Sequence, residues 1–287
     1  MESILPQKLI DAVSRYAERD KLFELRLRKG KKITANISGR YIETDTVCNP
    51  EWIQEVLLKA GRFSLYAVNE QIKAGFIGVR GGIRIGLCGQ AVYEGENIKT
   101  LKNITSLNVR FPHEIKGCGE KALKYCFDKK MLSTLVISPP GAGKTTLIRD
   151  ICRSISGGAN VLIIDERGEI SGEADGGFSF DIGCSDVLLY CKKQFGFISG
   201  IRSMRPDVIV CDELKGLCDI QSVEEALYCG VSVIATLHAQ DIGDLRYKRG
   251  FERLTESKAF KRYIVLADDP AVGTLKNIYD ENMEVII

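Results

Sequence analysis

Residues 135–150 read LVISPPGAGKTTLIRD, and this stretch decides the fold. An apolar strand at 135–138 runs into a Pro- and Gly-rich turn, and a helix over 143–156 is predicted to follow. Glycines let backbone N–H groups turn inward around phosphates, and the N-terminus of a helix adds partial positive charge. The stretch therefore predicts a phosphate-binding loop of the form G-x-x-x-x-G-K-[ST], with Ser138 in place of the first Gly.

The residue types of this loop indicate ATP and Mg²⁺ as cofactors. Lys144 is expected to reach the β- and γ-phosphates, and Thr145 is expected to bind Mg²⁺. The predicted nucleotide-binding residues are Pro140, Gly141, Ala142, Gly143, Lys144, Thr145 and Thr146.

A second stretch, RPDVIVCDE (205–213), ends an apolar strand in the carboxylates of Asp212 and Glu213. Ligands bind at the carboxyl ends of the strands in parallel sheets, so these two carboxylates are expected to lie at a ligand-binding edge. The pattern fits a Walker B element. In that interpretation Asp212 orients Mg²⁺ through water, and Glu213 polarises the attacking water as general base.

A rival acidic pair, Asp165 and Glu166, ends the apolar part of VLIIDERGEI (161–170). We expect only one of the two pairs to occupy the strand next to the phosphate-loop strand. Glu213 is the first candidate for the general base and Glu166 is the second, and the sequence leaves this choice open.

A third stretch, VSVIATLHAQD (231–241), carries Thr236 and His238 at the end of a predicted strand. A single His near a strand end is usually structural. This one follows the acidic pair by one strand–helix unit, where a residue that senses the γ-phosphate is expected. Thr236 and His238 are therefore candidate catalytic residues.

The first part of the chain, 1–115, is predicted to be a smaller α+β domain. Alternating apolar residues indicate a β-hairpin over 22–37 with a further strand at 40–43. A helix is predicted over 50–61, and the Gly-punctuated stretch 74–95 suggests another curved antiparallel sheet.

The second part, 116–287, follows a link at 111–119 and is predicted to be an α/β domain. Its strands alternate with helices, which indicates right-handed βαβ units and a mostly parallel sheet. The tail at 273–287 reads as a hairpin with its turn at 280–282.

The composition excludes several classes of protein. Of 287 residues, 45% are hydrophobic and 27% are charged, which excludes a disordered chain. No run approaches ~18 uninterrupted apolar residues, and charges interrupt the N-terminal stretch where a secretory signal has its apolar core. We expect a cytoplasmic protein with ten buried cysteine thiols and no structural zinc, because no C-x-x-C pair occurs and His113 and His238 are the only histidines.

The charge is distributed unevenly around a net value of +2. Residues 1–117 carry 19 Lys and Arg against 13 Asp and Glu, whereas residues 118–287 carry 21 against 25. The basic run at 26–32 is compatible with lipid, nucleic acid or an acidic partner, and equally with a solvated hairpin. No aromatic residues interleave with it as in proteins that stack single-stranded bases, so nucleic acid is not the expected partner.

These stretches resemble a group of motor proteins. RPDVIVCDE followed by ALYCGVSVIATLHA resembles the Walker B and histidine-box region of the secretion and pilus-motor ATPases of type II and type IV systems, and IIDERGEI resembles their acidic box. Many secretion motors have Gly-Glu where this chain has Asp212-Glu213. ELRLRKGKKITANISGRYI and GGIRIGLCGQAVYEGENIKTLKNITSLNVRFP resemble more specifically the stage III sporulation protein AA family. The resemblance extends over about 20–283.

The resemblance implies a RecA-like P-loop ATPase domain, preceded by the smaller domain, in a homohexameric ring with active sites at subunit contacts. Such sites need a cation from outside the phosphate loop, and the favoured candidates are Arg84 and Arg110, followed by Arg202 and Arg205. The implied partner is a membrane-embedded sporulation or secretion platform protein. The implied role is to power or assemble a channel between mother cell and forespore.

Two alternative functions stay open from the sequence. One is a nucleic-acid-dependent ATPase of RecA-like fold, in which the basic first domain would bind the nucleic acid. The small net charge of the chain argues against this function. The other is a non-hydrolysing nucleotide switch, against which the presence of Lys144, Thr145, Asp212 and Glu213 argues.

Overall fold

The computed structural model describes residues 4–16, 18, 21–61, 68–79, 82–174, 177–267 and 273–287. The chain divides into two units, Met1–His113 with Glu173–Gly177, and Glu114–Gly172 with Phe178–Ile287. The domain boundary predicted from the sequence lies after residue 115, and no pattern indicated that Glu173–Gly177 groups with the first unit.

The first unit combines one antiparallel sheet with short helices. Its strands are β1 (Leu22–Arg28), β2 (Lys32–Ile37), β3 (Arg40–Val47), β4 (Phe76–Val79), β5 (Ile83–Glu94) and β6 (Asn97–Arg110). Its helices are α1 (Gln7–Ser14), α2 (Pro50–Ala60) and α3 (Asn69–Lys73). Among its described residues the strand order is β3-β2-β1-β6-β5-β4, with every neighbouring pair antiparallel.

The pairing of β1 with β6 corrects the prediction of another, separate sheet in this unit. Leu25 pairs with Val109 and Leu27 with Leu107, and all four side chains are buried. The two hairpins therefore share one apolar face and one core. Local alternation predicts each hairpin but not this pairing, which joins residues about eighty positions apart.

Helix α2 follows the local signals that predicted it. Asn49 is the N-cap, its side chain accepts a hydrogen bond from the Glu51 N–H at 3.0 Å, and Pro50 occupies the first turn. The residues that face the core recur at helical spacing: Ile53, Val56, Leu57 and Ala60.

The second unit alternates strands and helices. Its strands are β7 (Phe127–Asp128), β8 (Lys130–Met131), β9 (Thr134–Ser138), β10 (Val161–Asp165), β13 (Asp186–Leu189), β14 (Val208–Glu213), β15 (Ser232–His238), β16 (Arg262–Ala267) and β17 (Thr274–Tyr279). The two-residue strands β11 (Glu173–Ala174) and β12 (Gly177–Phe178) form a small sheet of their own in the segment around Glu173–Gly177, which groups with the first unit. Its helices are α4 (Glu120–Cys126), α5 (Lys144–Ile155), α6 (Lys193–Met204), α7 (Leu217–Tyr228) and α8 (Phe251–Glu256), with a 3₁₀ helix at Ile242–Tyr247.

The main sheet of this unit is mixed and largely parallel. Its described strands follow the order β13-β10-β14-β15-β9-β16-β17. All neighbours are parallel except β16 and β17, which are antiparallel. The strand that precedes the predicted phosphate loop, β9, has β15 and β16 as neighbours. The expectation that one of the acidic pairs lies on the strand next to β9 is therefore wrong, because β15 with His238 occupies that position.

Both faces of this sheet are covered, as parallel sheets require. Leu135 and Ile137 point into one core, which α7 completes with Ile220 and Val223. Val136 points into the other core, with α5 residues such as Ile148 and Ile151. The apolar runs of β9, β10 and β14 are continuous rather than alternating because they are buried on both sides.

The tail hairpin is confirmed. Tyr279 forms an antiparallel bridge with Val285, and Asp280 donates its N–H to the Glu284 carbonyl at 2.9 Å. Within the described residues, no helix is both long enough and apolar enough to cross a membrane.

The cysteines are all free thiols, but the prediction that they are core residues is only partly correct. Cys48, Cys126, Cys152 and Cys211 are buried. Cys118 and Cys191 are half-buried, and Cys88, Cys184, Cys218 and Cys229 are exposed, on β5, in the turn before β13, in the first turn of α7 and at the C-cap of α7.

Candidate functional site

The carboxyl ends of four parallel strands converge at one edge of the main sheet. The phosphate-loop stretch follows β9, and the other three strands end in the predicted acidic and histidine residues. In register, Glu213 pairs with Thr236, and His238 pairs with Ser138. The topology thus assembles at one edge the residues that the sequence separates by about a hundred positions.

The loop between β9 and α5 has the backbone geometry of an anion cradle. Gly141 and Gly143 both adopt left-handed backbone, at φ 80° and 89°. A Cβ added at Gly141 would meet nothing within 4 Å. Helix α5 begins at Lys144, and no side chain caps its N-terminus. Its first N–H groups can therefore serve a bound anion.

The Lys144 ammonium is held against the loop. Its Nζ donates to the carbonyl oxygens of Ser138 at 3.0 Å and Pro139 at 3.1 Å, and to the Ser138 hydroxyl at 3.1 Å. Burial lowers the pKa of Lys144 to about 8, although the nearby Glu213 charge acts in the opposite direction. The departure from Gly at position 138 thus supplies one of the lysine's hydrogen-bond partners.

His238 lies between this lysine and Glu213. Lys144 Nζ is 2.7 Å from His238 Nδ1, and His238 Nε2 is 3.9 Å from Glu213 Oε1. An ammonium group only donates, so its three N–H groups are shared among Nδ1 and the three oxygens of Ser138 and Pro139, and the ring nitrogen on the side of Glu213 is Nε2.

The Glu213 carboxylate faces open space rather than the core. It lies 3.3 Å from Lys215 Nζ and lines a cavity of about 440 Å³ together with His238, Lys248 and Arg249. A second cavity of about 430 Å³ shares His238 and Lys248 and reaches the phosphate loop at Pro139 and Pro140. Lys248 and Arg249 have no motif in the sequence, and only the folding of the segment after β15 brings them to this edge.

The two acidic pairs are joined by a lysine that sequence reasoning missed. Lys193, the first residue of α6, is 1% exposed. Its Nζ lies 2.5 Å from Glu166 Oε2 and 2.5 Å from Asp212 Oδ1. Burial alone would lower the pKa of Lys193, but the Asp212 and Glu166 carboxylates raise it above its usual value.

Glu166 is consequently engaged through both oxygens. In addition to the ammonium contact, Oε1 accepts the Lys193 backbone N–H at 3.1 Å. Burial would raise the pKa of Glu166, but these contacts to Lys193 outweigh it and hold the pKa below its usual value. A carboxylate with a lowered pKa is a weaker base.

Asp165, the partner of Glu166 in the sequence, organises the following loop. Its buried carboxylate accepts the N–H groups of Glu169, Ile170 and Ser171 at 2.9–3.0 Å and the Ser171 hydroxyl at 2.8 Å. Arg149 of α5 binds the same loop through the Glu169 and Ile170 carbonyls. These hydrogen bonds give Asp165 a structural role.

Thr145, Thr146 and Thr236 lie on the elements that surround this edge. Thr145 and Thr146 are half-buried in the first turn of α5, and Thr236 is buried in β15. The Thr236 carbonyl accepts the Leu214 N–H at 2.9 Å, which fixes the chain just after Glu213.

The arginine candidates Arg84 and Arg110 belong to the first unit. They are cross-strand partners on β5 and β6, so their side chains share a face of that sheet. Arg84 stacks over the Phe76 ring at 4.0 Å, and Arg110 Nε lies 3.9 Å from Glu24 Oε2.

Arg205 lies at the far edge of the main sheet from the acidic pairs. It ends α6 just before β14 begins, in left-handed backbone at φ 48°. The length of β14 therefore separates Arg205 from Glu213, so the two do not pair within one chain.

The donor set at this edge fits Mg²⁺. Thr145, Asp212 and Glu213 offer hydroxyl and carboxylate oxygens, the hard ligands that this ion takes together with phosphate oxygens and water. No group of three or more His, Cys, Asp or Glu side chains capable of holding a metal occurs among the residues that the structure describes.

The fold is shared with solved ATPase structures. The ATPase DotB of Yersinia pseudotuberculosis superposes with a TM-score of 0.64 at 17% identity, covering 92% of this chain and 76% of DotB. The pilus retraction motor PilT, solved with bound ADP, superposes with a TM-score of 0.58 at 18% identity, covering 90% and 76%.

The sequence comparison is more specific. Stage III sporulation protein AA of Bacillus subtilis (strain 168) is 35% identical over 292 residues, covering 99% of this chain and 95% of that protein. Residues 3–286 match the family described as sporulation stage III, protein AA. Since both matches span nearly the whole chain, the chain belongs to the sporulation stage III protein AA family.

Proposed function

We propose that the chain is a Mg²⁺-dependent ATPase whose second unit is a RecA-like P-loop domain. One observation carries this proposal: the uncapped N-terminus of α5 with Lys144 and the Glu213–His238 pair occupy the same sheet edge, joined by the 2.7 Å contact between Lys144 and His238. A phosphate cradle beside a carboxylate that faces open space is the arrangement needed for hydrolysis of a nucleoside triphosphate.

Each side chain has a role in the proposed reaction. The loop and the first turn of α5 hold the phosphates, and Lys144 exchanges loop carbonyls for phosphate oxygens. Thr145, and Asp212 through water, would hold Mg²⁺, which would supply positive charge at the phosphates. Glu213 orients the attacking water and takes its proton. His238 connects this base to Lys144, and Thr236 sets the backbone beside it, so both respond to loss of the γ-phosphate.

Glu213 is preferred over Glu166 as the general base. Both oxygens of Glu166 are engaged by Lys193, and its pKa is lowered by these contacts. Glu213 instead lines an open cavity with His238. In this proposal Glu166 binds Lys193 and helps to position the site, and it does not activate the attacking water.

In this proposal the ATPase is a homohexameric motor that is cytoplasmic and peripheral to a membrane. It engages a membrane-embedded sporulation or secretion platform protein and powers or assembles a channel between mother cell and forespore. Support comes from membership of the sporulation family and from the fold shared with DotB and PilT. Active sites at subunit contacts would combine this edge with the arginines Arg84 and Arg110.

The test is Mg²⁺-ATP turnover of four proteins: wild type, Lys144→Ala, Glu213→Gln and Glu166→Gln. We expect Lys144→Ala to be inactive and Glu213→Gln to lose roughly 100-fold or more in kcat while still binding nucleotide. Glu166→Gln should retain turnover within about tenfold. The reverse order of the two glutamine variants would move the base to Glu166. No wild-type turnover above Lys144→Ala would favour the non-hydrolysing switch.

A further inference from the structure

Lys193 and Lys144 are the lysines whose side chains are buried among the described residues. The Lys193 side chain is 1% exposed, whereas the neighbouring Lys192 is exposed. A buried ammonium is costly unless it is paired, and the partners here are the carboxylates of Glu166 and Asp212, each at 2.5 Å. One cation thus compensates two carboxylates.

The position of this ammonium follows from the topology. Strands β10 and β14 are parallel neighbours, and Ile164 pairs with Cys211, so the two acidic pairs end side by side. Without a cation, carboxylates this close repel each other. The start of α6 inserts Lys193 at that point, and its backbone N–H adds a bond to Glu166 at 3.1 Å.

We propose that Lys193 is a positioning residue that aims the Glu166 and Asp212 carboxylates and sets the affinity of the site for a divalent metal. The ammonium holds Glu166 away from the attacking water and shares the charge of Asp212 with the metal. Glu213, whose ion-pair partner is the exposed Lys215 at 3.3 Å, is then the carboxylate of this edge that acts as base. This inference rests on the proposed function, since it takes Asp212 as the residue that orients Mg²⁺.

The charge arrangement predicts metal affinities that change in opposite directions. Lys193→Met removes the positive charge and leaves two carboxylates, so divalent affinity should rise. Glu166→Gln removes one carboxylate and leaves the whole ammonium to Asp212, so divalent affinity should fall. A residue with a merely structural role would weaken metal binding in both variants.

The experiment is Mn²⁺ binding to the protein–ADP complex, followed by electron paramagnetic resonance of free Mn²⁺. We expect the dissociation constant to be at least about threefold lower for Lys193→Met and at least about threefold higher for Glu166→Gln than for wild type. Lys192→Met is the matched control, and its Mn²⁺ dissociation constant should equal that of wild type. Lys193→Arg keeps the charge and should stay within about twofold, while its different fork geometry lowers kcat.

The outcomes separate this inference from the proposed function. Unchanged or weaker Mn²⁺ binding in Lys193→Met, with normal binding in the wild type, overturns the role of Lys193 alone. If Lys193→Met does not fold, the Mn²⁺ dissociation constant of Glu166→Gln becomes the test. An unchanged constant in Glu166→Gln overturns the inference. A wild type that binds no Mn²⁺ with ADP overturns the proposed function and this inference together.

Discussion

At the scale of single residues, the contact between Lys144 and His238 determines which ring nitrogen of His238 faces Glu213. Because Lys144 donates to Nδ1 at 2.7 Å, the imidazole presents Nε2 toward Glu213. The 3.9 Å between Nε2 and Glu213 Oε1 is longer than a hydrogen bond. His238 is therefore placed to respond to a small movement of either the lysine or the glutamate.

The contacts of Asp150 predict how the stability of the protein depends on pH. The buried Asp150 carboxylate accepts the Gly117 and Gly119 N–H groups at 3.0 and 2.8 Å and the Arg153 guanidinium at 2.7 Å. Burial would raise the pKa of Asp150, but Gly119, Arg153 and Gly117 together hold it below 3.8. The stability from this group is therefore present above pH 3.8 and is lost as pH falls through the lower pKa of the folded protein.

Asp150→Asn should destabilise the protein by about 1–3 kcal/mol near neutral pH, and the difference from wild type should narrow toward pH 3. The measurement is the thermal midpoint of both proteins at several pH values from 7 to 3. Asp128→Asn, at an exposed position, is the control and should show no comparable difference. A difference that stays constant down to pH 3 would contradict the assignment.

The site residues that the sequence predicted and those it missed differ for a physical reason. Glu213 and His238 end apolar strands, and Lys144 follows the loop after the apolar strand β9, so local pattern places all three at one sheet edge. Lys193 lies in a polar run, CKKQ, that reads as surface. Its burial depends on how α6 meets β10 and β14, and no spacing along the chain reveals that.

At the scale of elements, α6 lies very close to β10. A Cβ added at Gly196 would lie 2.8 Å from Ile164 Cγ2 and 3.1 Å from Ile164 Cγ1. Ile164 is fully buried and β-branched, so it has little freedom to move. The glycine therefore lets the start of α6 approach β10, the strand that Glu166 follows.

Gly196→Ala should destabilise the protein by about 1–3 kcal/mol, although alanine is normally better in a helix by about 1 kcal/mol. The measurement is the free energy of unfolding in urea. Gly243→Ala is the matched control, because its Cβ would meet nothing within 4 Å. A Gly196→Ala protein as stable as wild type would contradict the close approach.

The sequence predicts helices and strands where local signals mark them, but it does not predict which strands pair with each other. Helix α2 and strands β9, β10 and β14 lie within one or two residues of their predicted bounds, because caps, glycines and apolar runs mark them. The joining of the two N-terminal hairpins through β1 and β6, and the position of β15 beside β9, depend on contacts between distant segments. Periodicity does not encode which strand becomes a neighbour.

At the scale of the whole molecule, the proposed ATPase needs a cation from outside the phosphate loop. Arg84 and Arg110 in the first unit are the candidates from the resemblance, and Lys248 and Arg249 line the Glu213 cavity in the second unit. Arg84→Ala and Arg110→Ala should each lower kcat by about tenfold or more, because transition-state charge is left without compensation.

The measurement is steady-state ATP turnover, with Arg40→Ala on strand β3 as an exposed control that should behave as wild type. If Arg84→Ala and Arg110→Ala both turn over normally, the first unit supplies no catalytic cation. Loss of turnover in Lys248→Ala or Arg249→Ala instead would assign that role to the second unit.

The most direct test of the account is Mg²⁺-ATP turnover per subunit over a range of protein concentrations, with Lys144→Ala as the blank. If neighbouring subunits of a ring complete each site, turnover rises steeply with concentration and is absent from the blank. Turnover that is real but independent of concentration would contradict the shared sites. No turnover above the blank would contradict the ATPase itself.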